Sequence, residues 1–177
     1  MTNIALLRGI NVGGNHMIGM AALRELLESI GLKNVRTLLQ SGNVVFEGGG
    51  KKVGGEIEDV IENAFGFRPS VILRSAEQME DVVARNPFAH RSDVPGNKLL
   101  VTFLECDPKT TEIVAAPEEV HVLGREMYIY FPVGVGQSKF PHSAVAKQLG
   151  VTGTARNWNT VLKLVTMARQ SGSSRER

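Results

Sequence analysis
The run "TARNWNT", residues 154–160, gathers an arginine, two asparagines and the chain's one tryptophan just ahead of an apolar helical stretch. Read as a helix start, it sets Arg156 and Asn157 in the first turn. There, unpaired N–H groups and the helix dipole favour an anion. A guanidinium adds a forked pair of donors, and Asn157 and Asn159 each offer donor and acceptor. The blander reading of the same residues is a solvated helix face with Thr154 as N-cap. In this register Trp158, Val161, Leu162, Val165 and Ala168 form the apolar face. Arg156, Asn159, Thr160 and Lys163 then fall opposite.

"GINVGGN" sets Gly9, Gly13 and Gly14 after a strand-like run and before a helix, where backbone N–H groups can cradle an anion. Its spacing matches neither the dinucleotide fingerprint nor the Walker loop, so plain turns explain it equally well. "GVGQSKF" has Ser138 ahead of Lys139 and runs into Phe140-Pro141, the wrong order for a Walker loop. His16, His90, His121 and His142 stand alone: none lies three or four residues from another histidine or a cysteine. No metal site and no cofactor is therefore implied. Cys106, at the end of an apolar strand, reads as a small buried hydrophobe. Ser41 sits on a sharp corner in "QSGN", but Leu39 and Asn43 stand where a nucleophile elbow needs glycines, so it reads as a turn residue. The acids fall mostly on helix faces, with no paired carboxylates.

These residues hang on a regular alternation of elements. "NIALLR" (residues 3–8) reads as a buried strand. A helix follows with Met20, Leu23, Leu26, Leu27 and Ile30 on one face and Gly31 at its end. Residues 35–40 and 43–48 read as two strands meeting at a corner on Ser41-Gly42. "GGGKKVGG" reads as a flexible loop. A second helix carries Ile57, Val60, Ile61, Ala64 and Phe65 and stops at Gly66. Residues 70–75 are a fourth strand. The order β-α-β-β-α-β is the split βαβ pattern of a ferredoxin-like unit. Residues 76–88 open the second half with a helix ended by Asn86-Pro87. A strand is expected over 97–105, a short helix over "DPKTTEIVAA", and a hairpin around Gly124-Arg125. The final helix closes the chain. The expected division is 1–75, 76–170, and a disordered tail over 171–177.

The bulk properties agree with a packed α+β chain. Of 177 residues, 42% are hydrophobic, enough for a core. The formal net charge of +2 gives no electrostatic mandate for nucleic acid. One cysteine excludes an intramolecular disulfide and fits a cytoplasmic location. The opening "MTNIALLRGINVGG" lacks a signal-peptide pattern, and no apolar run approaches the roughly 20 residues that span a bilayer. No membrane partner is expected.

Taken together, "ALLRGINVGG", "LLQSGNVVF", "NPF", "YIYFPVGVGQSKF" and "GTARNWNTVLKL" resemble the bacterial domain of unknown function 1697 family. The motifs occur in the same order over nearly the whole chain. The resemblance implies two closely packed ferredoxin-like subdomains with antiparallel sheets, and it implies no established activity. The family's signature positions fall on Arg8, Asn11, Gly13, Gly14, Gln40, Ser41, Gly42, Asn43, Ser138, Lys139, Arg156, Asn157, Trp158 and Asn159. Phe140 stands where the family has leucine after Ser-Lys, which implies a change of packing alone.

Signature residues that merely pack should be apolar or glycine, yet most of these are polar and sit at strand ends, turns and a helix start. The first expectation is a phosphorylated or anionic small molecule, of which a nucleotide is one case, bound between the halves. Arg8, Lys139 and Arg156 would supply charge. Asn11, Gly13, Gly14, Ser41, Asn43, Ser138, Asn157 and Asn159 would supply donors and acceptors. A structural network among the same groups is the competing explanation. The alternative function is RNA or DNA binding on a sheet face, with Tyr128 and Tyr130 as part of a stacking platform. An enzyme using a buried Lys139 as base or nucleophile ranks third.

Overall fold
The computed structural model describes residues 1–173. It divides into two compact units: Met1–Glu80 together with the chain from Leu164, and Asp81–Lys163.

The first unit is built on β1 (Thr2–Arg8), α1 (Met20–Ser29), β2 (Lys33–Leu38), β3 (Asn43–Glu47), α2 (Val53–Phe65) and β4 (Ser70–Ser75). Its antiparallel sheet runs β2-β3-β1-β4, the split βαβ arrangement expected from the element order. Strand β1 is central because Ile4, Ala5, Leu6 and Leu7 are all buried, on both faces. On one face Ala5, Leu7, Val44 and Phe46 pack with Leu23 and Leu27 of α1 and Ile57 and Ile61 of α2. The apolar residues of each helix recur at the three- and four-residue spacing of a buried stripe. Gly31 and Gly66 follow α1 and α2 with φ of +88° and +79°, the left-handed conformation that ends a helix. The stretch "GGGKKVGG" is a loop, as its composition suggests, only over residues 48–52. The helix already starts at Val53, which is buried, and a Cβ on Gly54 would stand 3.2 Å from Leu73. The small residues admit close packing of helix on strand.

The second unit contains β5 (Leu99–Leu104), β6 (Glu119–Leu123), β7 (Glu126–Tyr130), α4 (His142–Leu149) and β8 (Gly153–Asn157), in the sheet order β6-β7-β5-β8. Helices α3 (Ala76–Ala84) and α5 (Trp158–Ser173) each begin in one unit and end in the other. The strand order repeats that of the first unit, but three local expectations are overturned. The short helix expected over "DPKTTEIVAA" does not form. The Lys109 N–H donates to Leu149 C=O at 2.8 Å, Thr110 Oγ1 accepts from Glu112 N–H at 3.1 Å, and Ile113 is buried. Those bonds compete with a helical turn. Helix α4, invisible in the reading of "SKFPHSAVAKQLG", is present and ends on Gly150 at φ +65°.

The third correction concerns "GTARN". It is a strand, not a helix start: Gly153, Thr154, Ala155, Arg156 and Asn157 pair with Leu104, Phe103, Thr102, Val101 and Leu100 of β5. Thr154 and Arg156 face inward on the period of two that a strand imposes. The helix begins one residue after Asn157, whose Oδ1 accepts from Thr160 N–H at 2.9 Å and is the actual cap. The buried face of α5 is Val161, Leu164, Val165 and Ala168; Trp158 is half-buried and Leu162 exposed. The helix runs through Ser173, so the tail expected from 171 is helical at its start, and residues 174–177 lie outside the described residues. Cys106 is exposed rather than buried.

Candidate functional site
The expected site residues of the first unit cluster at the C-terminal end of β1. Arg8 is exposed there, and its side chain makes no hydrogen bond or ion pair among the described residues. "GINVGGN" folds into a small hairpin. Asn11 N–H donates to His16 C=O at 3.1 Å and Asn15 N–H to Val12 C=O at 3.0 Å, with Gly13 and Gly14 at φ +58° and +76° between them. Two positive φ values inside a closed two-residue loop make a type I′ turn, which requires such residues. The Asn11 side chain ties this hairpin down: Nδ2 donates to Gln40 C=O at 2.7 Å and Ile18 C=O at 3.1 Å, and Oδ1 accepts from Ile18 N–H at 2.7 Å.

Asn43 is fully buried, with Nδ2 donating to Leu38 C=O at 2.8 Å and Ser41 Oγ at 3.0 Å. Gly42 takes φ +81°, and a Cβ there would stand 2.8 Å from Leu7 Cβ and 2.9 Å from Ile10 Cδ1. Gly42→Ala is therefore expected to lose about 2 kcal/mol from left-handed strain and overpacking. A urea titration showing an unshifted midpoint would refute the close approach. In this unit the polar signature residues Asn11 and Asn43 spend their hydrogen-bonding capacity on loop backbone and a neighbouring hydroxyl.

Arg156 is also interior. It is 7% exposed, and its Nη1 donates to Thr154 Oγ1 at 2.6 Å and to Ala155 C=O at 2.8 Å. Burial pushes the guanidinium down to about 10, so it stays charged at neutral pH. Asn157 caps α5. Asn159 is exposed, its Oδ1 so close to Gly96 that a Cβ on that glycine would come within 2.2 Å. The tyrosines offered as a stacking platform are covered. Tyr128 is 0% exposed with its hydroxyl donating to Val82 C=O at 2.7 Å, and burial pushes its phenol up. Tyr130 is buried, with the Arg91 guanidinium 5.3 Å from its ring centre.

Ser138 and Lys139 have a different setting. They line a cleft of about 440 Å³ whose walls are two irregular segments, residues 115–118 before β6 and residues 133–141 after β7. Glu118 N–H donates to Ala115 C=O at 3.1 Å, which shapes the first wall. In the second wall Gly134 turns at φ +90°, and its N–H donates to Phe131 C=O at 3.0 Å. Phe140 anchors that wall. It is 6% exposed, with its ring edge-on to Phe131 at 5.8 Å and to His142 at 4.8 Å. Its N–H donates to Ser138 Oγ at 3.0 Å, while the Ser138 hydroxyl donates to Glu118 Oε1.

Lys139 therefore projects from between two fixed residues. It is exposed and has no hydrogen bond or ion pair among the described residues. Exposure removes the condition on which its role as a buried base rested. Sequence reading missed Glu118. It sits 20 positions from Ser138, and no local spacing marks the pair. Among the described residues no group of three or more His, Cys, Asp or Glu gathers to hold a metal. None of the described helices is long and apolar enough to cross a membrane.

A family model described as "Protein of unknown function (DUF1697)" matches residues 1–128. The match ends before the second wall of the cleft. A solved structure of a conserved bacterial protein from Streptococcus pneumoniae is similar over 94% of this chain and 98% of its own, at 23% identity and a TM-score of 0.68. At that identity the likeness shows the fold alone. No curated protein matches.

Proposed function
For this chain, which belongs to the DUF1697 family of proteins of unknown function, we propose the binding of a small anionic molecule, phosphorylated or carboxylated, in the cleft of the second unit. The observation that carries the reading is Lys139, a cation with no partner among the described residues on the lining of a cleft of about 440 Å³. A concave site with a few placed polar groups on apolar walls is the usual form of a small-molecule pocket. Ala115, Pro117, Val133 and Pro141 supply the apolar wall, and Gln137 adds an amide. The proposal needs neither Arg8, at the end of β1, nor Arg156, which is interior to its own sheet. A cytoplasmic location is part of the same reading, since the single cysteine has no second cysteine to bond.

Titration with pyrophosphate and with adenosine monophosphate, followed by isothermal calorimetry, tests the site. Lys139→Ala is expected to weaken binding about tenfold or more, the share of one charge-assisted hydrogen bond. Equal affinity in the variant and the parent protein, or no binding of either anion at millimolar concentration, would sink the proposal.

A further inference from the structure
We infer that the molecule taken by this cleft is a zwitterion, carrying a protonated amine for Glu118 beside the anionic group for Lys139. The inference rests on the anion reading of the cleft given above. Glu118 is 8% exposed, yet it is one of the residues that line the cleft. One of its oxygens, Oε1, accepts the Ser138 hydroxyl. The other, Oε2, has no hydrogen bond or ion pair among the described residues. No buried side-chain nitrogen or oxygen among those residues lacks a partner, so Oε2 reaches solvent. For a residue so nearly enclosed and placed on this lining, that solvent is the cleft's.

A carboxylate this buried is costly unless a cation or several donors answer it. Lys139 lines the same cleft but forms no ion pair with Glu118. Each charge has its own tether. Ser138 holds the carboxylate, and Phe140, anchored by Phe131 and His142, holds the backbone beside the lysine. Two opposite charges on the lining of one cavity, not paired with each other, are complementary to a ligand whose own charges are spaced by a short carbon chain. Ala115, Pro117, Val133 and Pro141 fit that chain. A second cleft, in the first unit, lacks this arrangement: its Arg169 already donates to its Glu80 at 2.8 Å.

The experiment compares matched probes by calorimetry on the whole protein. 2-Aminoethylphosphonate and 3-aminopropylphosphonate carry the amine; propylphosphonate and butylphosphonate replace it with a methyl group. At least one amino compound is expected to bind about tenfold more tightly than its methyl counterpart. Glu118→Gln keeps the shape and an acceptor for Ser138 but removes the charge, and it should abolish that preference while leaving butylphosphonate at least as tightly bound. Lys139→Ala should weaken all four. If the parent protein binds amino and methyl probes equally, the inference fails and the anion reading stands. Preference retained in Glu118→Gln also overturns it. If no phosphonate binds while pyrophosphate or adenosine monophosphate does, the inference fails alone; if none of these anions binds, the anion reading fails and takes the inference with it. The comparison on the parent protein needs no variant, so a Glu118→Gln protein that did not fold would not shelter the claim.

Discussion

Gly153→Ala is expected to remove about 3 kcal/mol of stability, because the new methyl group would be driven into a neighbouring strand. Gly153 pairs with Leu104 at the start of β8. A Cβ there would stand 2.4 Å from the Phe103 carbonyl oxygen, 2.9 Å from Thr102 Cγ2 and 3.1 Å from Leu104 Cδ2. The nearest of these is backbone in the central strand β5 and cannot swing aside. Strand β8 would have to move off β5, and with it Arg156 and the Asn157 cap of α5. For a chain of this size the loss corresponds to a melting temperature about 6–12 °C lower. The one tryptophan, Trp158, follows β8 directly and reports the transition by fluorescence. The midpoint in urea should fall with an unchanged slope. The opposite result is informative too. If residues 153–157 opened a helix, alanine would be neutral or stabilising, because it is the better helix former. An unshifted or raised midpoint would therefore reinstate the helix-start reading and dismiss the strand.

Asn43→Ala is the second large effect, about 2–4 kcal/mol, and it falls on the first unit. The residue is 0% exposed, and its amide donates to Leu38 C=O and Ser41 Oγ across the turn between β2 and β3. Leu38 and Asn43 are the last register pair before that turn. Inside it, Leu39 is held at φ +59°, a conformation that costs a branched side chain energy and persists only where its surroundings insist. Alanine would remove the buried amide that ties Leu38 C=O to the turn, and it would open a cavity in its place. Hydrogen exchange at Val44, Val45 and Phe46 is the appropriate measurement, since these amides belong to the strand that the turn sets. Protection should drop there. Phosphonate binding at Lys139 should be unaffected. Unchanged protection, or a loss of phosphonate affinity, would count against a purely structural Asn43.

The first unit is largely legible in the sequence. Its strands alternate with helices whose apolar residues recur at helical spacing. Its glycines stand where left-handed backbone ends a helix, as Gly31 and Gly66 do. Such signals are local, and local chemistry decided the outcome. The second unit was less legible because its decisive bonds are not local. Residues 107–116 carry an Asp-Pro start that favours a helix, yet Lys109 gives its N–H to Leu149, 40 residues on. "GTARN" has the polar composition of a helix entrance, yet the open edge of β5 claims it as a strand.

The candidate site divides the same way. Ser138 and Lys139 could be picked from the sequence as polar residues in an irregular glycine-rich stretch. Glu118 could not, since only the fold brings it to Ser138. Sequence alone settled the split βαβ order of the first unit, with polar residues gathered at strand ends and turns, because hydrophobic periodicity and glycine conformation act over a few residues. Whether a strand's polar side chain faces inward, as those of Asn43 and Arg156 do, was decided by strand pairing. In a strand one step of register exchanges the buried face for the exposed one, and register is set by distant partners.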